Sequence, residues 1–293
     1  MAGATDTTLS SAIGKYVSGV AVTVASQATP LRSLMMNLVG EGDSVDWIAN
    51  SASNTSTTTF SEGDSASAAG YMEYYAMTLA KSSFQYRTMY QITGTALDSL
   101  KKGAEFNGIE AEALGAIAAH YSFIEDNTVT TLEAAIDSGG SYAGQTRANS
   151  GMTSMEAAVT PTVDEMDTAH SAMIADPRSC NWAELAMLAP IEFQQSYGDV
   201  ATGASSREHI ATQGGTIDAG TISGLGFNGK AFTTIGTMTD TTCLITAPNN
   251  LRNSVWRDTE VSEYAKNTDS FTYAIVSVII PWVFNPYKAG KLT

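Results

Sequence analysis

The strongest constraint in this sequence is a run of fourteen residues near its end, Phe271 to Phe284, reading FTYAIVSVIIPWVF. It is almost wholly apolar, rich in β-branched residues, and closed by Asn285-Pro286. As a strand it would reach roughly 45 Å at about 3.3 Å per residue, well beyond the usual five or six residues. As a membrane helix it is short by about six residues, and Pro281 and Pro286 interrupt it. Neither face is polar, so the strand must be covered on both sides, and Pro281 implies a bulge or an unpaired edge. Upstream, Val255 to Tyr264 mixes polar and apolar positions as a second strand would, and Lys266 to Ser270 supplies the turn. The expectation is a long terminal β-hairpin.

A chain of 293 residues can bury a full core, as one large or two interleaved domains. Its 43% hydrophobic content points to a soluble globular protein rather than a disordered one. The net charge of −15 works against a surface that grips nucleic acid. Cys180 and Cys243 lie far apart and outside any CxxC pair, so zinc, thioredoxin chemistry and a disulfide framework are not expected; two buried thiols are. The first residues lack a basic n-region, Gly19 to Ala25 is too short for a signal core, and no stretch is a membrane span. The expectation is a protein made in a cytoplasm.

Along the chain, residues 1 to about 50 alternate short apolar runs with small polar residues and read as an extended arm. Asn50 to Gly70 is low-complexity and reads as a flexible loop. Tyr71 to Leu79 and Phe84 to Thr93 are aromatic and β-branched. In the second, Phe84, Tyr86, Thr88, Tyr90 and Ile92 share one face. With Ala80 to Ser83 as the turn, these two stretches are expected to pair as a ribbon, marginal alone and in need of a partner surface, most simply another chain. Between Arg32 and Lys81 there is no base but there are six acids, Glu41, Asp43, Asp46, Glu62, Asp64 and Glu73. That is either a solvated acidic loop or an arm matched to positive charge on a neighbour. The contact residues expected on this ground are Tyr71, Tyr74, Tyr75, Phe84, Tyr86, Arg87, Glu62 and Asp64.

Helical character begins at Ala96, stops at Gly103 and resumes near Gly108. Ile109, Ala113, Ile117, His120 or Tyr121, Ile124, Thr128, Leu132 and Ile136 then hold the helical period to a Gly139-Gly140 stop, with a possible break at the threonines 128, 130 and 131. Glu110, Glu112, Glu125, Asp126, Glu133 and Asp137 are assigned to the other face, with no Lys or Arg. Gly139 to Ser154 marks a boundary. Thr162 and Glu165 form a capping box for a helix running to Asp176-Pro177. Trp182 to Leu188 reads as a buried strand, and Pro190 as the first position of a further helix. Thr202 to Gly226 is Gly-rich and loop-like, and Ala231 to Ile235 and Thr242 to Ala247 are short strands. The fold class is α+β.

Little here resembles catalysis. His120, His170 and His209 show no HExxH or HxH spacing, and His120 and His170 fall on or near helix stripes, where packing outweighs ligation. GxSxG, Walker and GxGxxG loops are all missing, and Asp164, Glu165 and Asp167 are ordinary helix N-terminal charge. No catalytic residue, cofactor or metal is expected.

Four stretches together resemble the major capsid proteins of tailed viruses, the Hong Kong 97-type fold. TLAKSSFQYRTMYQITGTALDSL (Thr78 to Leu100) is similar to the base of that family's extended loop, and EALGAIAAHYSFIEDNTVTTLEAAIDSGG (Glu112 to Gly140) to its spine helix. DEMDTAHSAMIADPRSCNWAELAMLAPIEFQQS (Asp164 to Ser196) is similar to its apical pattern, and Glu260 to Thr293 to its closing hairpin. The order of these elements, from about Thr57 to the end, carries the resemblance; no single motif does.

The resemblance implies an N-terminal arm at 1–49, an extended loop at 50–95, a spine helix of a peripheral domain at 96–140, an axial domain at 141–250 and a terminal hairpin at 251–293. It implies a homo-oligomeric shell of hexamers and pentamers around double-stranded DNA held without sequence-specific contacts, in the virion and, during assembly, the host cytoplasm. A scaffolding protein, a portal and a decoration protein are possible partners, and no membrane is. The acidic helix face would line the interior, and the 50–70 loop would lie over a neighbouring subunit. Some members weld subunits through a Lys–Asn isopeptide bond. Here Asn50 to Ala80 has no Lys and Phe271 to Phe284 no Asn, so a non-covalent shell is expected. The alternatives are an encapsulin-type compartment and, from other classes, a Ser/Thr-rich adhesin-like surface protein or an enzyme with an unrecognised site.

Overall fold

A computed structural model describes residues 30–53, 72–93, 107–136, 140–146, 155–157, 166, 171, 182–201, 216–218, 221–223, 226–227, 230–238, 242–267, 270–286 and 289–292. The chain forms two compact units, each built from three separate segments: 1–45, 80–130 and 253–281 in the first, 46–79, 131–252 and 282–293 in the second.

The first unit is organised by the long strand that the sequence announces. In chain order it receives α1 (Pro30–Leu34), β1 (Met36–Val39) and, after the second unit's β2 (Ser44–Ser53) and β3 (Met72–Ala80), β4 (Gln85–Thr93) and α2 (Asn107–Ile136). The second unit adds β5 (Ser141–Tyr142), β6 (Gln145–Thr146), β7 (Met155–Ala157), β8 (Ala186–Ala189), α3 (Ile191–Ala201), β9 (Thr216–Asp218), β10 (Thr221–Ser223), β11 (Gly226–Phe227), β12 (Lys230–Thr234) and β13 (Cys243–Thr246). The hairpin strands β14 (Leu251–Asn267) and β15 (Ser270–Val283) follow, and β16 (Ala289–Leu292) is the last strand.

β14 and β15 are neighbours in a four-stranded sheet of order β1-β14-β15-β4, as the hairpin reading requires. β15 is buried along most of its length, and its pairing with β4 ends at Val278↔Gln85, three residues before Pro281. The imide nitrogen, which has no hydrogen to give a ladder, therefore falls where β4 no longer runs alongside.

One expectation is corrected here. β3 and β4 do not pair with each other. β3 pairs with β2, whereas β4 pairs antiparallel with β15 from Thr93↔Ser270 to Gln85↔Val278. The reason lies in alternation: Tyr86, Tyr90 and Ile92 on one face of β4 are 0–8% exposed, and they find a partner within the same chain. They pack with Ala113, Ile117, Tyr121 and Ile124 of α2 and with Tyr273 and Ile275 of β15. The low-complexity stretch also yields residues 50–53 to β2, and its remainder lies outside the described residues.

α2 runs unbroken for 30 residues, about 45 Å at 1.5 Å per residue. The threonines, where the sequence left a break open, do not interrupt it. Thr128 and Thr130 turn their hydroxyls back to donate to the carbonyls of Ile124 and Asp126, at 2.8 and 2.9 Å, so neither opens the helix. A second correction concerns Glu125, assigned to the acidic outer face. It is 0% exposed, because its carboxylate accepts from the Leu31 and Arg32 amides of α1 at 2.6 and 3.4 Å.

The second unit centres on a six-stranded mixed sheet of order β11-β12-β8-β13-β16-β7. β13 runs antiparallel to both β8 and β16, whereas β12 pairs parallel with β8 and β16 parallel with β7. α3 packs Phe193 and Tyr197 edge-on to Phe232 of β12. The strand expected from Trp182 is shorter, since Trp182–Glu184 is a 3-10 turn and only Ala186–Ala189 is extended. The expected loop at 202–226 contains the short antiparallel pair β9–β10. Cys243 is a buried free thiol that burial pushes well above its ordinary pKa. The expected helices at 96–103 and 162–176, with Cys180, His170 and His209, fall outside the described residues, apart from Met166 and Ser171.

Candidate assembly surfaces

The strand period that buries one face of the first unit's sheet also builds its other face. Along β15, Tyr273, Ile275 and Ser277 turn toward α2, so Ala274, Val276 and Val278 turn away. They help line a groove of about 870 Å³ with Gln85 and Arg87 of β4, Trp256, Arg257 and Ser262 of β14, and Lys81. Three cations thus meet around an apolar floor in a chain whose net charge is −15.

The wall of this groove is fixed by a close approach. Trp256 donates its indole N–H to the Gly42 carbonyl at 2.8 Å, and the Gly40 amide donates to the Val255 carbonyl at 2.9 Å. A Cβ at Gly40 would lie 2.2 Å from the Trp256 ring, so only glycine allows the ring this position. The Lys81 ammonium sits 5.9 Å from the centre of the same ring, a cation–π distance. Its backbone amide donates to Asp43 at 2.9 Å. Arg257 meets Glu260 at 3.6 Å in an exposed pair.

Apolar side chains also reach solvent. In the first unit these include Leu34, Met36, Val39, Met89 and Phe123, and in the second Ile48, Ile191 and Phe284. Val39, at 84% exposure, belongs to β1, an edge strand of the four-stranded sheet, where unpaired backbone and apolar side chains favour association.

The contact residues read from sequence separate into distinct groups. Tyr86 is 5% exposed, packs in the core against α2 and also lines the groove, and Phe84 packs half-buried beside it. Arg87 is exposed and lines the groove. Tyr74 and Tyr75 lie on β3, Tyr75 half-buried. Tyr71, Glu62 and Asp64 lie outside the described residues. Sequence reasoning missed Lys81, Trp256, Arg257 and the Met36–Val39 edge. The strand parity of β14 was a signal for Trp256, but nothing local showed which elements its neighbours would come from.

A buried polar layer lies beneath the sheet. His120, 1% exposed, bonds Thr88 Oγ1 at 3.0 Å through Nδ1 and Ser277 Oγ at 2.9 Å through Nε2. Ser277 in turn meets Thr259 Oγ1 at 2.9 Å. Burial lowers the imidazole to about 4, so it is neutral near pH 7, one nitrogen donating and the other accepting. Among the described residues, no three His, Cys, Asp or Glu side chains are grouped to hold a metal.

No protein-family model matches the chain, and neither does any curated protein. Solved structures do match it. The capsid asymmetric unit of cyanophage A-1(L) aligns at a TM-score of 0.67 and 10% identity, over 90% of this chain and 92% of that one. The capsid structure of cyanophage P-SCSP1u aligns at 0.56 and 10% identity, over 88% and 86%. The virus-like particle from Pyrococcus furiosus aligns at 0.53 and 10% identity, over 94% and 96%. This chain has a viral capsid-protein fold.

Proposed function

We propose that this chain is a shell-forming protein of the Hong Kong 97 type, the major capsid protein of a tailed virus, assembling as hexamers and pentamers around double-stranded DNA. The observation that carries the reading is the likeness to the cyanophage A-1(L) capsid over about nine-tenths of both chains. Exposed apolar side chains on an open sheet edge and a cation-rimmed groove supply surfaces that repeated heterologous contacts need. In this reading 1–49 is an arm, 50–95 an extended loop, 96–140 the spine helix, 141–250 the axial domain and 251–293 the closing hairpin. Tyr71, Tyr74, Tyr75, Phe84, Tyr86, Arg87, Glu62 and Asp64 are the proposed contacts between subunits. Glu110, Glu112, Asp126, Glu133 and Asp137, without Glu125, are the proposed interior charge that repels packaged DNA. A separate scaffolding protein, a portal and a decoration protein are compatible partners.

A cargo compartment of encapsulin type is the second reading, compatible with the match over 96% of the chain of the virus-like particle from Pyrococcus furiosus. Negative-stain electron microscopy of the purified protein tests the shared claim: uniform closed particles are expected, and soluble monomers under every condition, with and without a scaffold, would overturn it. Co-purified DNA against a packaged enzyme separates the two readings. A boiled SDS sample of the particles should run as one band near 30.8 kDa. A ladder of higher bands would refute the non-covalent shell.

A further inference from the structure

We propose that Arg252 is a contact between subunits: its terminal nitrogens, held in place by Trp282 and Phe284, take a carboxylate of a second copy of this chain. The inference rests on the shell reading and names one contact within it.

The side chain is set before any partner arrives. The guanidinium carbon lies 3.9 Å from the centre of the Phe284 ring and 5.2 Å from that of Trp282, both cation–π distances. Behind these, Trp282 meets Trp47 at 4.7 Å, and Trp47 meets Tyr142 edge-on at 6.1 Å. Trp47, Tyr142 and Trp282 are 4–8% exposed, whereas Phe284 is 41% exposed. The aromatic cluster therefore reaches the surface at Phe284, against which the guanidinium lies. Asn250 fixes the backbone beneath it. Its carbonyl accepts from the Phe284 amide at 3.0 Å, and its side chain accepts from and donates to the Asn285 backbone at 2.7 and 2.9 Å.

Stacking uses the faces of a guanidinium and leaves its N–H edge for acceptors. That edge is unused. Among the described residues no carboxylate or carbonyl bonds Arg252, and its Nε is buried without a partner. Burial pulls the group below its ordinary pKa, and no neighbouring carboxylate opposes the shift. With Nε covered, an incoming anion is met end-on by the two terminal nitrogens. A carboxylate matches such a pair of N–H donors. Copies of this chain supply it in excess, with 30 acidic side chains against 15 basic ones. An apolar group beside that carboxylate would cover the open part of Phe284 and dry the ion pair, as at an interface hot spot. In a ring of identical copies each chain then gives Arg252 to one neighbour and its own carboxylate to the other.

The test compares full-length wild type, Arg252→Gln and Arg252→Lys. Light scattering against protein concentration should show that Arg252→Gln needs about thirtyfold more subunit to form particles, with the dissociated chain still folded by circular dichroism. Particles of Arg252→Lys, built from isotopically light and heavy subunits, are treated with a water-soluble carbodiimide, which condenses an amine with an adjacent carboxylate. The introduced amine should join a peptide of another copy. If Arg252→Gln fails to fold, phenylglyoxal labelling of wild-type Arg252 is used instead, and it should be slower in particles than in dissociated subunits. An unchanged assembly threshold, a crosslink confined to one chain, or equal labelling in both states overturns the contact. Wild type that forms no particles overturns the shell reading and this contact with it, whereas particles indifferent to Arg252 overturn the contact alone.

Discussion

In the first unit, helix meets sheet across a layer that mixes aromatic rings with titratable groups: His120 on a chain of hydroxyls, and Glu125 clasped by α1. In the second, β8 and β13 present Met187, Leu188, Ala189, Leu244 and Ile245, all at most 1% exposed, and the buried polar residues Thr242, Thr246 and Asn250 are neutral. Asn250 fills its needs locally, accepting from the Asn285 amide at 2.7 Å and donating to the Asn285 carbonyl at 2.9 Å. The difference separates two ways of specifying a core. An apolar layer responds to volume and ignores pH, whereas a layer with buried acids and bases stores a dependence on proton concentration.

The largest expected effect belongs to the apolar unit. Phe193 is 1% exposed and sits 6.0 Å, edge-on, from Phe232. Phe193→Ala should cost about 3–5 kcal/mol by lost transfer energy and the cavity left behind. Denaturant unfolding at pH 5 and pH 8 should give the same loss. A loss that changes with pH would erase the contrast between the units.

The next effect is the contrast itself. Burial lowers His120 to about 4 and raises Glu125 to about 7. Folding with a depressed base loses stability as pH falls from 6.5 to 4; folding with a raised acid loses it as pH rises from 4.5 to 7. Between about pH 4.5 and 6.5 the folded unit carries a proton on Glu125 that the unfolded chain lacks, and the unfolded chain carries one on His120 that the fold lacks. The two slopes cancel, and these residues leave the wild type nearly flat. Removing either partner uncovers the other. His120→Gln should lose about 3 kcal/mol as pH rises through that interval, and Glu125→Gln about 3 kcal/mol as pH falls. Chemical denaturation at half-unit pH steps checks this, and variants as flat as the wild type would remove the cancellation.

A smaller effect tests the groove wall. Gly40→Ala puts a methyl group into the Trp256 ring and should cost about 1–3 kcal/mol as the ring shifts. The Trp256 hydrogen bond to Gly42 should loosen with it, read as a change in tryptophan fluorescence. An unchanged spectrum and midpoint would mean that the ring has room to move without cost.

These contrasts were unevenly legible in the sequence. β15 was plain because a two-sided apolar run has few alternatives, and the buried stripe of α2 because eight turns of period leave little ambiguity. Strand alternation gave the correct faces of β4 but not its partner, since parity says which side is buried and nothing about what covers it. Glu125 was misplaced for a related reason. A glutamate between Ile124 and Asp126 reads as the hydrophilic flank, and only α1, 93 or more residues earlier, brings the amides that draw it inward. The groove needs residues from three separate stretches, and local pattern cannot assemble them.

The smallest effect sets the floor against which the others are measured. Arg257 and Glu260 form the exposed pair at the groove, 3.6 Å apart, with side chains 52% and 66% exposed. Water screens both charges and the two long side chains lose rotamer freedom to meet, so Glu260→Gln should change stability by less than about 0.5 kcal/mol. Its consequence should lie elsewhere. Removing that carboxylate leaves the groove one unit more positive without altering the fold, so any change in particle yield would report the groove's charge alone. A stability loss as large as that of Gly40→Ala would instead place Glu260 in the support of β14. The division between a charge-bearing rim and a packed floor would then fail at its most exposed point.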